Sequence, residues 1–246
     1  CVQPVFSFFQ NDMAYCVANA FEQEQPILLD QFKNKTPFSK HLTSLIKYAD
    51  FGISDVKSVP ANIPSDIWHQ FKEQMKTQIG ADEGKLEEAF NIKNATQLQF
   101  THTGEDSSSA GFGLDNESRG TVAALWFFSL ALRQLSMPTV TLIDEIDTSL
   151  HPTLVAELVA LYTDPATNPH GSQLIFTTHD VSLINQSGSS NRLLQPDQIW
   201  LVEKDKDGAS ELFPVTELGI RKEENIGKNY LNGVYAVSYT HLSCRR

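Results

Sequence analysis

The stretch of residues 139–152 constrains the fold more than any other part of the chain. It follows Pro138, begins with a short run of uncharged, β-favouring residues, and ends in the adjacent carboxylates Asp144 and Glu145 before a polar turn. Such a run is typical of a buried strand in a parallel sheet, and α/β sheets bind ligands at the carboxyl ends of their strands. The sequence therefore predicts an α/β fold with these carboxylates at a ligand-binding edge.

Two neighbouring carboxylates at such an edge suit the chemistry of magnesium and a nucleotide. Asp144 would hold the hydrated cation, and Glu145 would position and polarise the water that attacks a phosphoryl group. The alternative is that a polar Asp-Glu pair simply follows a strand where it joins a helix. This stretch alone leaves both interpretations open.

Composition and charge limit the function classes. A chain of 246 residues with 41% hydrophobic residues can bury a sizeable core. Its longest apolar run, residues 122–132, is shorter than the roughly 20 residues that span a bilayer, so no membrane segment is expected. The net charge of −11 argues against a broad basic surface, so DNA binding is possible but not indicated. The three cysteines have no metal-ligand spacing, which fits a reducing cytoplasm.

Apolar spacing predicts the elements before the central strand. Positions three and four apart predict two helices between residues 24 and 48, interrupted at Thr36-Pro37, and residues 55–59 read as a short strand. Sparse apolar stripes predict solvated helices over residues 63–79 and 83–90. Residues 97–102 alternate in period two and predict a hairpin with residues 110–114. Residues 24–95 together resemble a helical insertion or arm.

A strand, a helix and a second strand follow one another around the carboxylates. After an apolar helix over residues 121–135 and the central strand, residues 153–162 have the pattern of an amphipathic helix, and residues 173–178 repeat the buried-strand pattern. This order predicts a βαβ unit with parallel strands, whose carboxyl ends point the same way. His179 directly follows the second strand, so we expect it at the same edge as Glu145. A further hairpin is predicted from residues 198–202 and 211–215.

Three groups of residues near these strands are candidates for function. Ser118 and Gly120 open the apolar helix, where free amides and the helix dipole can bind a phosphate, although Ser118 can equally be a simple N-cap. Asp147 and Ser149 either contact another subunit or only shape the turn before Pro152. His179 can donate a hydrogen bond to a γ-phosphate or to the attacking water, whereas a lone histidine is often only a loop residue. His151 is expected to be structural.

Taken as a set, these residues resemble an ABC-type ATPase head of the branch that includes structural-maintenance-of-chromosomes, RecF-like and overcoming-lysogenization-defect-like proteins. Residues 118–121 resemble the signature motif, residues 140–145 resemble Walker B, residues 147–150 resemble the D-loop, and His179 resembles the switch histidine. The order and spacing of the four motifs agree together. The chain is further similar to AAA-family ATPases of abortive-infection systems, including the ATPase of RloA/RloB-like antiphage pairs, through residues 49–53, 144–152, 177–180, 197–200 and 230–235.

The resemblance implies a mechanism and partners. ATP and Mg²⁺ would be the cofactors, with ATP sandwiched in a homodimer and contacted by Ser118 and Gly120 from the partner head. Asp144 would order Mg²⁺, Glu145 the attacking water, and His179 the γ-phosphate. The ATPase would regulate an effector protein, such as a nuclease, in cytoplasmic antiphage defence. A nucleotide-gated scaffold or sensor with little turnover is the alternative.

Two departures from the family pattern lead to an expectation about the chain's ends. The sequence has no GxxxxGK[ST] phosphate loop; residues 80–86 have the wrong glycine spacing and lack the Ser or Thr. We therefore expect a C-terminal portion of a longer ATPase that binds ATP poorly alone. Residues 237–246 resemble a non-native tail. The predicted domains are residues 1–95, the end of an N-terminal lobe with the arm, and residues 96–236, the ATPase lobe.

Overall fold

The computed structural model describes residues 7–17, 21–49, 52–61, 66, 69–70, 73–74, 77, 95–104, 108–185, 192–204, 207–220 and 224–235. The chain divides into two compact units. The first unit comprises Cys1–Asn19 and Leu130–Arg246, and the second unit comprises Ala20–Ser129. The first unit is thus built from two separate pieces of the chain.

The described elements follow one another in mixed order. The α-helices are α1 (Phe21–Lys33), α2 (Pro37–Tyr48), α3 (Arg119–Gln134), α4 (Pro152–Thr163) and α5 (Ile226–Leu231). The strands are β1 (Met13–Val17), β2 (Ile53–Pro60), β3 (Thr96–Thr103), β4 (Ser109–Gly113), β5 (Val140–Asp144), β6 (Gln173–Phe176), β7 (Trp200–Lys204) and β8 (Ser210–Pro214). No helix in these described segments is both long and apolar enough to cross a membrane.

A parallel three-stranded sheet organises the first unit. Its order is β1-β5-β6, so the strand that ends in Asp144 is the central one. The predicted α/β fold and the parallel pairing of β5 with β6 are confirmed. The sequence did not predict β1, because its residues follow an unpatterned aromatic stretch and pair with β5, which lies far away along the chain.

Helix α4 connects β5 to β6 as the predicted βαβ unit requires. Its N-cap is His151, whose ring Nδ1 accepts a hydrogen bond from the Thr153 N–H at 3.3 Å, and Pro152 occupies the first helical turn, where its missing N–H costs nothing. The expected structural role of His151 agrees with this cap. Leu154, Val155, Leu158, Val159 and Tyr162 form the buried stripe of the helix, and burial of each large apolar side chain contributes about 1.5–3 kcal/mol.

The C-terminal part of the first unit has a small core of its own. The predicted hairpin forms from the antiparallel strands β7 and β8. Five buried residues gather in this core, namely Ile199, Leu201, Val215, Ile226 and Tyr235. A Cβ on Gly227 would lie only 2.9 Å from the Asn185 Cα. Helix α5 therefore approaches the backbone that follows β6 so closely that only glycine fits at this position.

The described part of the second unit contains an antiparallel sheet in the order β2-β3-β4, the helices α1 and α2, and the first part of α3. Thr36 separates α1 from α2 and caps α2 by accepting a hydrogen bond from the Ser39 N–H. Both predicted helices and the β3–β4 hairpin are confirmed. The sequence did not predict that β2 pairs with β3. The most deeply buried side chains of these elements are Leu28, Leu42, Ile46, Leu98 and Phe100.

Several predicted features lie wholly or largely outside the described residues. They are the helix over residues 83–90, the glycine string at residues 80–86 and the tail at residues 237–246. In the predicted helix over residues 63–79, the few described positions are helical. The domain boundary between residues 95 and 96 stays a prediction.

Candidate functional site

The site of the first unit lies where β5 and β6 end side by side. The two strands continue to bond just beyond their ends: the Thr177 N–H donates to the Ile143 carbonyl and the Ile146 N–H donates to the Thr177 carbonyl, both at 3.0 Å. These bonds fix the backbone on either side of Asp144 and Glu145. The carboxylates and His179 therefore leave neighbouring strands at one edge, as their positions in the sequence predicted.

The hydroxyl of Thr177 joins the two carboxylate residues. It donates a hydrogen bond of 2.5 Å to Asp144 Oδ1 and accepts one of 2.8 Å from the Glu145 N–H. A hydrogen bond to a carboxylate is stronger than one between neutral groups, so this contact holds the Asp144 side chain in one orientation. Thr177 thus sets both a side-chain position and the start of the following turn.

Glu145 and His179 face each other across the edge. The distance from Glu145 Oε1 to His179 Nε2 is 3.9 Å, and both side chains are exposed, by 58% and 85% respectively. Glu145 has a backbone φ of 52°, in the left-handed region that a non-glycine residue rarely adopts. Such strain costs of order 1 kcal/mol and is found most often at functional sites. The turn thereby directs a solvent-accessible carboxylate towards the imidazole.

Asp147 ties the turn after β5 to the loop that carries His179. Its Oδ1 accepts a hydrogen bond from the Thr178 hydroxyl at 2.7 Å and one from the His179 N–H at 3.3 Å. The Thr178 hydroxyl also accepts from the Asp180 N–H at 2.9 Å. Within this chain Asp147 therefore acts as a clamp on the imidazole loop, a contact that the sequence did not predict.

Ser149 lies in the same turn as Asp147. It is exposed and has a φ of 65°, so the residue projects from a tight left-handed bend just before α4. The bend is closed by the Leu150 N–H, which donates to the Asp147 carbonyl at 3.3 Å. This geometry fits either a turn residue or a surface contact, and both predicted roles stay open.

Ser118 and Gly120 belong to the second unit. Ser118 Oγ accepts a hydrogen bond from the Thr121 N–H at 3.0 Å and is 2.9 Å from Thr121 Oγ1, so Ser118 caps α3. Gly120 lies in the first turn of that helix. The buried carboxylate of Glu117, the residue before the cap, hydrogen-bonds to His102 Nε2 at 2.8 Å. This contact holds in place the chain that leads into α3. The capping role of Ser118 is present, and its predicted contact with a nucleotide stays a prediction.

The donor chemistry at this edge fits magnesium better than a transition metal. Asp144 is exposed, and in the described part of the chain only Thr177 contacts its carboxylate, through Oδ1. No group of three or more His, Cys, Asp or Glu side chains is placed to hold a metal among the described residues. Magnesium needs no such cage, because it binds through one or two carboxylates, substrate phosphates and water. Asp144 Oδ2 is the oxygen that would face it.

Sequence reasoning missed Thr177 and Thr178 as members of the site. Both were assigned to the end of a buried strand, whereas β6 ends at Phe176. The available signal was the chemical character of the pair: two hydroxyls at the carboxyl end of a parallel strand, next to a histidine, are able to bond to groups on the neighbouring strand.

Comparison with known families adds to this geometry. Residues 25–185, about two thirds of the chain, match the family described as "AAA domain, putative AbiEii toxin, Type IV TA system". The chain belongs to this AAA-domain family. The matched range extends from α1 to the turn after His179 and so contains every candidate site residue. No curated protein matches the chain.

Membership of an AAA family accounts for the position of the candidate site. The P-loop NTPase fold places nucleotide chemistry at the carboxyl ends of parallel strands, which is where Asp144, Glu145 and His179 lie in this AAA-family chain. The family implies nucleotide binding and, in general, ATPase activity.

Proposed function

We propose that this chain carries the hydrolytic part of an ATPase site, formed by Asp144, Glu145 and His179. The observation that supports it most is the 3.9 Å approach of Glu145 Oε1 to His179 Nε2 beside Asp144. An acceptor for a water proton and a donor for a phosphate oxygen then lie 3.9 Å apart, and the residue before Glu145 supplies a magnesium-type ligand. Phosphoryl transfer depends on such positioning and charge stabilisation more than on covalent chemistry.

Each residue has a defined task in this proposal. Magnesium, when bound, neutralises charge on the β- and γ-phosphates. Thr177 fixes the orientation of the Asp144 carboxylate, which would hold the cation. Glu145 accepts a hydrogen bond from the attacking water and orients it. His179 donates from Nε2 to a γ-phosphate oxygen, and Asp147 fixes the loop that carries it.

We further propose that ATP assembles two copies of the head. Ser118 and Gly120 would contact the nucleotide held by the other copy, and Asp147 and Ser149 would lie at the subunit contact. The exposure of Ser118 and Ser149 supports these assignments. We expect the 246 residues by themselves to bind ATP poorly, because they contain no GxxxxGK[ST] loop.

The proposed biological role is control of an effector protein in prokaryotic antiphage or abortive-infection defence. The family description, which names a toxin of a type IV toxin–antitoxin system, supports a role with a partner. A nuclease-like effector is the partner that the resemblance to abortive-infection ATPases favours. Hydrolysis would then switch the effector between two states.

The complete protein with Glu145→Gln tests the proposal. This change removes the negative charge that orients the water and keeps the shape of the side chain. We expect ATP hydrolysis to fall by about 10²-fold or more, ATP binding to persist, and ATP-bound dimers to accumulate in size-exclusion chromatography. Glu157→Gln, on the exposed side of α4, is the matched control.

Two outcomes would contradict the proposal. If Glu145→Gln hydrolysed ATP as fast as the Glu157→Gln control, Glu145 would have no part in the reaction. Loss of hydrolysis with normal assembly and normal control of the effector would favour the nucleotide-gated scaffold, in which turnover is incidental.

A further inference from the structure

A groove of about 570 Å³ crosses the second unit, away from any residue assigned above. It runs between strand β2 and the connection from α1 to α2. Six consecutive residues of β2, 55–60, line it. Because a strand rises about 3.3 Å per residue, the groove follows the strand for roughly 20 Å. Its volume is in the range of protein sites that bind ligands.

Among the described strands, the edge of β2 away from β3 has no paired strand. The sheet order is β2-β3-β4, so β2 is an outer strand, and in the described part of the chain it pairs with β3 alone. An outer strand presents backbone N–H and C=O groups that an added strand can bond. The groove therefore offers a regular array of backbone donors and acceptors as well as side chains.

The charge of the groove is opposite to that of the whole chain. Lys33, Lys35, Lys40 and Lys57 line it, and Asp55 is the one acidic residue among the described lining residues. The chain as a whole has a net charge of −11, with 19 basic residues. A local excess of three positive charges in an acidic protein attracts a negatively charged partner and repels a basic one.

We propose that this groove binds an extended, acidic segment of a partner protein, which adds to β2 as an antiparallel or parallel strand. Backbone bonds to β2 supply the register, and the four lysines pair with carboxylates of the segment. The four positive charges attract an acidic segment and repel a basic one, and so they provide selectivity.

Two other occupants fit the groove less well. A second copy of the chain would bring the four groove lysines of one copy close to the four of the other, which is repulsive. A nucleic acid would use neither the backbone array of β2 nor a hydrophobic floor formed by the buried Phe32 and Val56. The described lining residues also include no arginine, the residue best suited to phosphate.

The test uses the complete protein and a fluorescein-labelled six-residue peptide of alternating Glu and Val, with binding measured by fluorescence anisotropy. We expect saturable binding that weakens as salt is added. The double variant Lys40→Gln/Lys57→Gln should weaken it by about five- to tenfold. Lys47→Gln/Lys204→Gln removes the same charge at exposed positions outside the lining and should leave binding unchanged.

Two further measurements separate backbone pairing from charge alone. The same peptide with N-methylated alternate residues keeps its charge but loses half of its backbone donors, and it should bind at least tenfold more weakly. Lys35→Gly keeps the fold, because Lys35 has a φ of 49° that glycine adopts freely, and it should still weaken binding.

The outcomes that overturn the proposal are distinct. Absence of binding at millimolar peptide, or equal weakening by the groove and control variants, would exclude the site. Equal binding of the N-methylated peptide would exclude strand addition. Tighter binding of an oligo-dT probe with the same dependence on Lys40 and Lys57 would assign the groove to nucleic acid. None of these results depends on ATP hydrolysis, so the proposed function stands or falls separately.

Discussion

The Thr177 hydroxyl lies between the Asp144 carboxylate and the Glu145 backbone, donating to the first at 2.5 Å and accepting from the second at 2.8 Å. One side chain on β6 thereby sets the geometry of the two acidic residues that end β5. This cross-strand contact connects the proposed metal ligand, the proposed water-orienting residue and the loop of His179.

Thr177→Val keeps the shape of the side chain and removes the hydroxyl. We expect a loss of about 1 kcal/mol in the free energy of unfolding, since solvent replaces part of the lost bonding at this exposed position. In the complete protein, kcat for ATP should fall by about ten- to a hundredfold with little change in KM, because the carboxylates lose their alignment. Thr177→Ser should restore both quantities. Urea unfolding and steady-state kinetics measure them, and a Ser variant as impaired as Val would contradict the positioning role.

Glu145→Gly should separate stability from activity. Glycine relieves the strain at φ 52°, so the free energy of unfolding should stay the same or rise by up to about 1 kcal/mol. Hydrolysis should nevertheless be lost, since no carboxylate remains to orient the water. Glu145→Val, which is β-branched, should lower stability instead. Thermal unfolding of the three proteins decides this, and a marked destabilisation by glycine would show that the turn depends on the Glu145 side chain.

Asp147→Ala should loosen the loop that carries His179. The change removes the acceptor for the Thr178 hydroxyl and the His179 N–H, and we expect a cost of about 1–2 kcal/mol. The His179 amide should exchange with deuterium about tenfold faster or more. Asp147→Asn retains an oxygen at Oδ1 and should have a smaller effect. Hydrogen exchange measured by NMR tests the clamp, which would be refuted by an unchanged exchange rate at residues 178–180.

Substitutions at Ser118 distinguish capping from nucleotide contact. Ser118→Ala should destabilise the protein by about 1 kcal/mol through loss of the N-cap. Ser118→Asp preserves the cap, because aspartate is an equally good N-cap, but it places a negative charge where the other copy's phosphate is proposed to bind. We therefore expect normal stability and loss of ATP-dependent dimers. Light scattering measures the dimers. Normal dimerisation of Ser118→Asp would show that Ser118 acts only as an N-cap.

Tyr235 should make the stability of the first unit sensitive to alkaline pH. Burial raises the pKa of Tyr235 above its ordinary value of 10.0; the nearby Glu224 also raises it, while the hydrogen bond from Asn229 and the charge of Arg192 act in the opposite direction. The unfolded chain therefore loses the proton first, so the stabilisation is complete below pH 10 and decreases as pH rises through the folded-state pKa. Tyr235→Phe should flatten this decrease in stability. The control Tyr48→Phe, at an exposed tyrosine, should leave the decrease unchanged. Urea unfolding below and above pH 10 provides the comparison.

Local patterns in the sequence were sufficient for much of the fold. The helices around Thr36, the β3–β4 and β7–β8 hairpins and the βαβ unit follow from apolar spacing, a capping residue and strand length, all of which depend on neighbouring residues. The pairing of β1 with β5 and of β2 with β3 depends on distant residues, and a single sequence carries no local signal for it. Long-range pairing was therefore the part of the fold that escaped prediction.

In the candidate site, too, one part could be predicted from the sequence and another part could not. The positions of Asp144, Glu145 and His179 at one edge could be predicted, because parallel strands place their carboxyl ends together. The contacts of Thr177, Thr178 and Asp147 could not, since they depend on side-chain rotamers and on the path of two turns. The positive φ of Glu145 also had no signal, because glutamate is not a residue that turns of this kind favour.

The divided construction of the first unit has a consequence for biosynthesis. Met13 pairs with Val140, 127 residues later in the chain (140 − 13), so β1 cannot pair with β5 until this long stretch has left the ribosome. Closing so long a loop is slow, but compaction of the intervening unit shortens the effective distance between its ends. Destabilising substitutions between residues 20 and 129 should therefore lower the yield of correctly assembled protein even where they leave the carboxyl ends of β5 and β6 untouched.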